Sequence, residues 1–209
     1  MEEPFETSDV CGFLHRPDQP SGDAIALTHG AGSNCNAPPL VRLARAFEEA
    51  GWLVLRYDLP FRRQRPKGPP YPAGAASDRE GVGRAIEELR KLGGGKVLAG
   101  GQSYGGRQTA MAAAEHPSLA DGLLLLSYPL HPPGKPEQKR TAFFPELRTP
   151  SLFVSGTSDP FASPEELREA IAAIPGRTDI LLVEGAGHDL RRGADLAADM
   201  LTRLRSLLG

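Results

Sequence analysis

One serine in this chain is fenced by four glycines. In the stretch GGQSYGGR, Ser103 follows Gly100, Gly101 and Gln102 and precedes Tyr104, Gly105 and Gly106. The central five residues, Gly101 to Gly105, form a G-x-S-x-G pattern between the apolar run KVLAGG (Lys96–Gly101) and an alanine-rich segment. A strand that turns directly into a helix drives the residue at the bend to positive φ and lifts its side chain clear of the sheet. Glycines on either side give such a bend its room, so the pattern presents a serine hydroxyl as a nucleophile for acyl transfer. The same letters also describe a glycine-rich turn with a serine helix cap, and the decision falls to the residues able to assist it.

A serine hydroxyl needs a base to become nucleophilic, and the base needs an acid to orient it. Of the five histidines, His15 and His116 read as surface residues, His29 closes an early strand and His131 sits in a proline-rich loop. His188, in VEGAGHDL, follows the last apolar run, where a loop returns over the end of the sheet. It is the base candidate. Asp159, in VSGTSDPF, is the acid candidate, although Ser-Asp-Pro is also good turn chemistry. Asp58 precedes the serine and so falls outside the Ser…Asp…His order; Asp189 adjoins His188 and is poorly placed to reach its far nitrogen. For an oxyanion hole, the small residues of THGAGSN (Thr28–Asn34) free backbone N–H groups after a central strand. The expected donors are the N–H of Ala31 and of Tyr104, with Gly32 in reserve. The loop is neither G-x-G-x-x-G nor a P-loop, so it is not read as a phosphate cradle.

These side chains need a frame. Continuous apolar runs recur at Ala24–Gly30, Trp52–Asp58, Lys96–Gly101, Gly122–Tyr128, Ser151–Gly156 and Ile180–Gly185, as in strands covered on both faces. Between most of them lie segments of helical spacing. One runs from Pro38 to Gly51, and one starts with Ser77 or Asp78 as cap and ends at Gly93. Another carries the capping box Ser163-Pro164-Glu165-Glu166, and the last spans Ala194–Leu208. Alternation of this kind predicts an α/β fold, a mostly parallel central sheet flanked by helices on both faces, in one domain over residues 1–209. Thr7–His15 is expected to add an edge strand. Pro60–Ala76 and Pro129–Pro150 read as loops, the second with room for a short helix.

The 209 residues carry a formal net charge of −2, and no apolar run approaches the length of a membrane span. Neither nucleic acid nor membrane is therefore an expected partner. The N-terminus lacks a signal-peptide pattern, so the expected location is cytoplasmic. Cys11 and Cys35 read as reduced thiols. No cluster has zinc-ligand spacing, and no metal or organic cofactor is expected.

With THGAGSN, YDLPFRRQ, GGQSYGGR, LLSYPLHPPGKP, VSGTSDPF and GAGHDL in view, the chain resembles the α/β-hydrolase superfamily. More narrowly it is similar to small dienelactone-hydrolase-like proteins grouped with testis-expressed and NSL-complex-subunit hydrolase-like domains. The resemblance implies a reduced form of an eight-stranded core, a Ser103-Asp159-His188 triad and a minimal cap, since little chain lies between Tyr128 and Ser151. True dienelactone hydrolases use a cysteine nucleophile, so their substrate is not carried over. The expected activity is serine-based hydrolysis of a small ester or thioester. Alternatives are a noncatalytic binding or scaffold module on the same fold, and an acyltransferase or perhydrolase using the same triad. Arg62, Arg63, Arg65 and Lys67 read either as a solvated basic loop or as cations facing an anionic substrate. Tyr104, Tyr128, His131 and Phe161 are candidate pocket walls, each equally readable as packing.

Overall fold

The apolar runs pair edge to edge into one sheet in a computed structural model that describes residues 1–93, 95–190 and 196–209. Among the described residues the sheet has eight strands. They are β1 (Glu2–Glu6), β2 (Cys11–His15), β3 (Ala24–Thr28), β4 (Leu53–Tyr57), β5 (Val97–Gln102), β6 (Gly122–Leu126), β7 (Ser151–Gly156) and β8 (Thr178–Val183). Their order is β1-β2-β4-β3-β5-β6-β7-β8. β2 runs antiparallel to both β1 and β4, and every other pairing is parallel. The sheet is therefore fuller than the reduced core expected. The edge strand expected over Thr7–His15 is present only from Cys11, as β2, and lies inside β1 rather than at the edge. Thr7–Val10 form the turn between them, where Thr7 N–H donates to Val10 O at 2.8 Å and Thr7 Oγ1 accepts from Val10 N–H at 3.0 Å. Ser8 and Asp9 at its tip favour that reversal over continued strand.

Successive strand residues point to opposite faces, which explains the unbroken apolar runs. Ala24 and Ala26 of β3 face one core, with Val82, Ala85, Ile86 and Leu89 of α3 (Ala75–Leu92), and with α4 (Tyr104–Glu115) and α5 (Pro164–Ile171). Ile25 and Leu27 face the other, against Leu40, Leu43 and Phe47 of α1 (Pro38–Glu49) and Met200, Leu201 and Leu204 of α6 (Ala197–Leu208). The expected start of this last helix at Ala194 lies outside the described residues. No helix among the described residues is long and apolar enough to cross a membrane.

Helix ends mostly follow local chemistry. α1 carries proline in its first turn and stops before Gly51, at φ 90°. α5 has the full capping box: Ser163 Oγ accepts from Glu166 N–H at 3.2 Å, and Glu166 Oε2 accepts from Ser163 N–H at 2.9 Å. The start of α3 differs. A 3-10 turn over Pro72–Gly74 runs straight into a helix beginning at Ala75, which leaves Ser77 and Asp78 inside it. Asp78 does not cap. Its buried carboxylate accepts from Phe61 N–H at 3.0 Å and from the Tyr104 hydroxyl at 2.7 Å, tying α3 to α4 and to the short helix α2 (Pro60–Gln64). The stretch Pro60–Ala76, expected as loop, thus contains α2, the 3-10 turn and the first residues of α3. Pro129–Pro150 does hold one short element, a 3-10 turn at Phe144–Glu146.

His15, expected at the surface, is fully buried. Its Nδ1 donates to Glu48 Oε2 at 3.0 Å and its Nε2 accepts from Arg56 Nε at 2.9 Å, so two charged neighbours draw it inside. Arg56 is buried as well and also donates to Glu2 Oε1 at 2.6 Å and to the Cys35 carbonyl.

Replacing Asp78 by alanine strands two interior donors, each worth about 1–3 kcal/mol when left unmade. Asp78→Ala is therefore expected to lower the unfolding free energy by at least about 2 kcal/mol in urea titrations, with Asp78→Asn losing less. Equal stability of all three proteins contradicts the tie.

Candidate active site

β5 ends where α4 begins, and Ser103 is the only residue between them. Its φ is 51°, in the left-handed region that side chains avoid. Close approach explains the glycines around it. A Cβ on Gly101 would lie 2.7 Å from the Gly105 carbonyl carbon and the Gly106 nitrogen, and one on Gly105 would lie 2.4 Å from the His29 carbonyl oxygen. Only bare backbone fits where strand, helix and the loop after β3 meet. Ser103 makes no side-chain cap to its own helix. Its N–H donates to Leu126 O at 2.8 Å, and its hydroxyl instead meets an imidazole.

Asp159 follows β7 and His188 follows β8. The two loops are stapled by Ser158 N–H to Ala186 O at 2.9 Å and Gly185 N–H to Thr157 Oγ1 at 2.8 Å. They pass so closely that a Cβ on Gly156 would fall 2.1 Å from the Ala186 carbonyl oxygen. His188 Nε2 lies 2.8 Å from Ser103 Oγ, and its Nδ1 lies 2.8 and 3.0 Å from the two oxygens of Asp159. The carboxylate is fully buried and the imidazole a quarter exposed. A buried carboxylate facing Nδ1 makes that nitrogen the donor and leaves Nε2 to accept the serine proton. Asp159 Oδ1 also accepts from Phe161 N–H at 2.9 Å, which fixes the carboxylate. The Phe161 ring stacks on His188, centroids 4.1 Å apart, and covers one imidazole face.

The loop after β3 is packed against the serine: a Cβ on Gly30 would stand 3.5 Å from Ser103 Cβ. Tyr104 opens α4, so its N–H is among those a helix leaves without an internal acceptor. Among the described residues the Ala31 N–H has no backbone acceptor either. Gly32 is exposed. His29 is fully buried behind this loop. Its Nδ1 donates to Gly30 O at 2.9 Å and its Nε2 accepts from Leu59 N–H at 3.2 Å, an arrangement only the neutral ring can make. Burial keeps its pKa below the usual histidine value.

The remaining candidates divide. Arg62 is neither solvated nor turned outward. Its guanidinium is buried and donates to four carbonyls: Ser33 at 2.7 Å, Ala31 at 2.9 Å, Gly68 at 3.0 Å and Arg65 at 3.1 Å. Arg63 is exposed and reaches Ser8 O at 3.2 Å, Arg65 lies over the Tyr71 ring, and Lys67 is exposed. The Tyr128 ring is core between Phe144 and Phe153, and its hydroxyl donates to Arg140 O at 2.7 Å. The Tyr104 ring stands edge-on to Phe61, its hydroxyl held by Asp78. His131 is buried, its Nε2 3.3 Å from Glu166 Oε2, and its backbone N–H donates to Phe161 O at 3.1 Å, which ties the backbone of the stacking phenylalanine to this loop. The rival acid Asp58 faces away from His188: its Oδ1 accepts from Cys35 N–H at 2.6 Å and lies 3.4 Å from His29 Nε2. Cys11 and Cys35 are free thiols, and burial pushes Cys35 up to about 12, which keeps it protonated. No group of three or more metal-binding side chains occurs among the described residues. Sequence reasoning did not foresee the roles of Arg62, His29 and Asp78. A run such as FRRQR reads as solvated whichever way one guanidinium turns.

A family model described as an alpha/beta hydrolase domain matches residues 21–204. Among solved structures, TT1662 from Thermus thermophilus is 21% identical with a TM-score of 0.78, covering 100% of this chain and 98% of its own. XC6422 from Xanthomonas campestris, described as an a/b serine hydrolase without lid, is 16% identical with a TM-score of 0.74, covering 99% and 94%. A dienelactone hydrolase from Anabaena variabilis is 18% identical with a TM-score of 0.67, covering 98% and 95%. At these identities the likeness is one of fold.

Burial holds His15 and His29 below the ordinary 6.5. The unfolded chain then binds protons that the folded one does not, so stability rises with pH through this region. Unfolding free energy is expected to be level above about pH 7 and to fall between about pH 6.5 and 5, before most carboxylates titrate. Urea midpoints across that interval check it, and midpoints that do not move overturn it.

Proposed function

Since the chain belongs to the alpha/beta hydrolase domain family, we propose that it is a serine hydrolase acting on a small carboxylic ester or thioester through an acyl-enzyme on Ser103. The observation that carries this reading is the unbroken relay Ser103 Oγ–His188 Nε2 at 2.8 Å and His188 Nδ1–Asp159 Oδ2 at 2.8 Å.

Ser103 Oγ attacks the substrate carbonyl carbon while its proton passes to His188 Nε2. Asp159 holds the imidazole in the right tautomer and balances the imidazolium that forms. Negative charge moves to the carbonyl oxygen, which the N–H groups of Tyr104 and Ala31 receive; one such donor contributes about 2.7–4 kcal/mol to the transition state. The intermediate collapses as His188 returns the proton to the departing alcohol or thiol, leaving an ester on Ser103. Water then attacks that ester with His188 again taking the proton, and the acid leaves. Phe161 limits solvent and ring rotation on one side of the imidazole. The segment from Pro129 to Pro150 holds only one 3-10 turn, which suits a small substrate reaching an open serine.

A fluorophosphonate probe is expected to label the wild-type protein and not Ser103→Ala, and hydrolysis of p-nitrophenyl acetate or short acyl-CoA thioesters is expected to vanish in that variant. Asp159→Asn is expected to retain the fold and lose kcat by a factor on the order of 10⁴, the consequence of the wrong tautomer. A folded wild-type protein that neither takes the probe nor cleaves any ester or thioester would leave only a binding scaffold.

A further inference from the structure

The loop Gly30–Asn34 has no regular secondary structure, yet the proposed hole needs its amides aimed to within a few tenths of an ångström. In a trans peptide the carbonyl of one residue and the N–H of the next point in opposite directions. Holding the carbonyl therefore aims the amide. Gly30 O accepts from His29 Nδ1 at 2.9 Å and from Ser33 N–H at 3.1 Å, so the Ala31 N–H is directed away from both. Ala31 O accepts from Arg62 Nη2 at 2.9 Å, which directs the Gly32 N–H away from the guanidinium. Arg62 Nε also holds Ser33 O at 2.7 Å, and the same Nη2 reaches Gly68 O at 3.0 Å. One planar fork thus grips the loop at both ends of its bend and braces it against the chain beyond α2.

All of this positive charge is spent on carbonyl oxygens, and the residue is 6% exposed. A buried guanidinium is costly unless its donors are satisfied, and here the satisfied donors are those that fix the peptide planes beside Ser103. A substrate anion would have to displace them.

We infer that Arg62 is a positioning residue of the oxyanion hole, clamping the Ala31 and Ser33 carbonyls so that the loop's amides stay turned toward the acyl oxygen, with neutral His29 fixing the adjacent peptide. The inference rests on the serine-hydrolase reading. Loss of the clamp frees the Ala31–Gly32 peptide, so Ala31 is anchored only through the Gly30 carbonyl on its other side and its donor N–H loses its fixed aim, without touching the relay of Ser103, His188 and Asp159.

The test compares wild type with Arg62→Ala, Arg62→Gln and Arg62→Lys on a neutral p-nitrophenyl ester and on an ester carrying a free carboxylate. In Arg62→Ala, kcat is expected to fall about 10–100-fold on both esters with KM nearly unchanged, a loss smaller than that of a deleted donor. Affinity for a trifluoromethyl ketone, whose hemiketal oxyanion occupies the same hole, is expected to fall by a matching factor. Arg62→Lys, able to grip fewer carbonyls, is expected to recover part of both. The pH profile of kcat/KM is expected to keep its inflection, because the imidazole is untouched. Should Arg62→Ala fail to fold, the lysine and glutamine variants carry the same comparison. A KM rise confined to the anionic ester would make Arg62 a substrate ligand and overturn the inference. So would a fall in kcat with undiminished ketone affinity, or an unaltered kcat in folded variants. A wild-type protein that takes no fluorophosphonate overturns the hydrolase reading itself, whereas a labelled wild type with unaffected Arg62 variants sinks the clamp alone.

Discussion

The arrangement depends on one strained bend. Ser103 sits at φ 51° where β5 becomes α4, and this conformation persists only because neighbouring backbone leaves no alternative. Gly101, Gly105 and Gly106 are pressed against one another and against the His29 carbonyl at distances that exclude any Cβ. The bend therefore does two things at once. It projects the hydroxyl out of the sheet, and it brings the start of α4 against the loop after β3, so the proposed nucleophile and the proposed amide donors are set by a single contact.

The relay behind the serine obeys a similar logic further along the same edge of the sheet. Asp159 and His188 come from loops with no regular structure, and their mutual position is fixed by backbone contacts between those loops. Gly156 passes under the Ala186 carbonyl, and Ser158 and Gly185 donate across the gap. Phe161 then links Asp159 to His188 twice, by its N–H to the carboxylate and by its ring over the imidazole. Parallel strands ending at one edge bring these loops together, as open α/β sheets do for their ligand crevices.

Away from the relay, the interior relies on buried polar groups as fasteners. Asp78 joins α2, α3 and α4; Arg56 gathers His15, Glu2 and the Cys35 carbonyl; Arg62 gathers the bend of the β3–α1 loop. Each replaces regular backbone pairing where the chain is irregular, and backbone carbonyls left without partners are costly. His15, bound by Arg56, and His29, beside the loop that Arg62 holds, are both kept below the ordinary histidine value by burial, so the frame itself carries a pH sensitivity.

Much of this was legible in the chain itself. Apolar runs with small residues at their ends, helix-capping residues and the G-x-S-x-G bend are local signals, because strand burial, capping and tight turns act over a few residues. They determined the α/β class, the capping box at Ser163 and the serine as the residue to watch. The order of Asp159 and His188 after their strands made them candidates, but only packing of the two loops set them 2.8 Å apart. The inward turn of His15, the early start of α3 and the fate of Arg62 were decided by tertiary structure alone. A charged or polar side chain is cheap in water and tolerable inside only when partners from distant segments satisfy it, and which segments will meet is information that no short stretch of sequence contains.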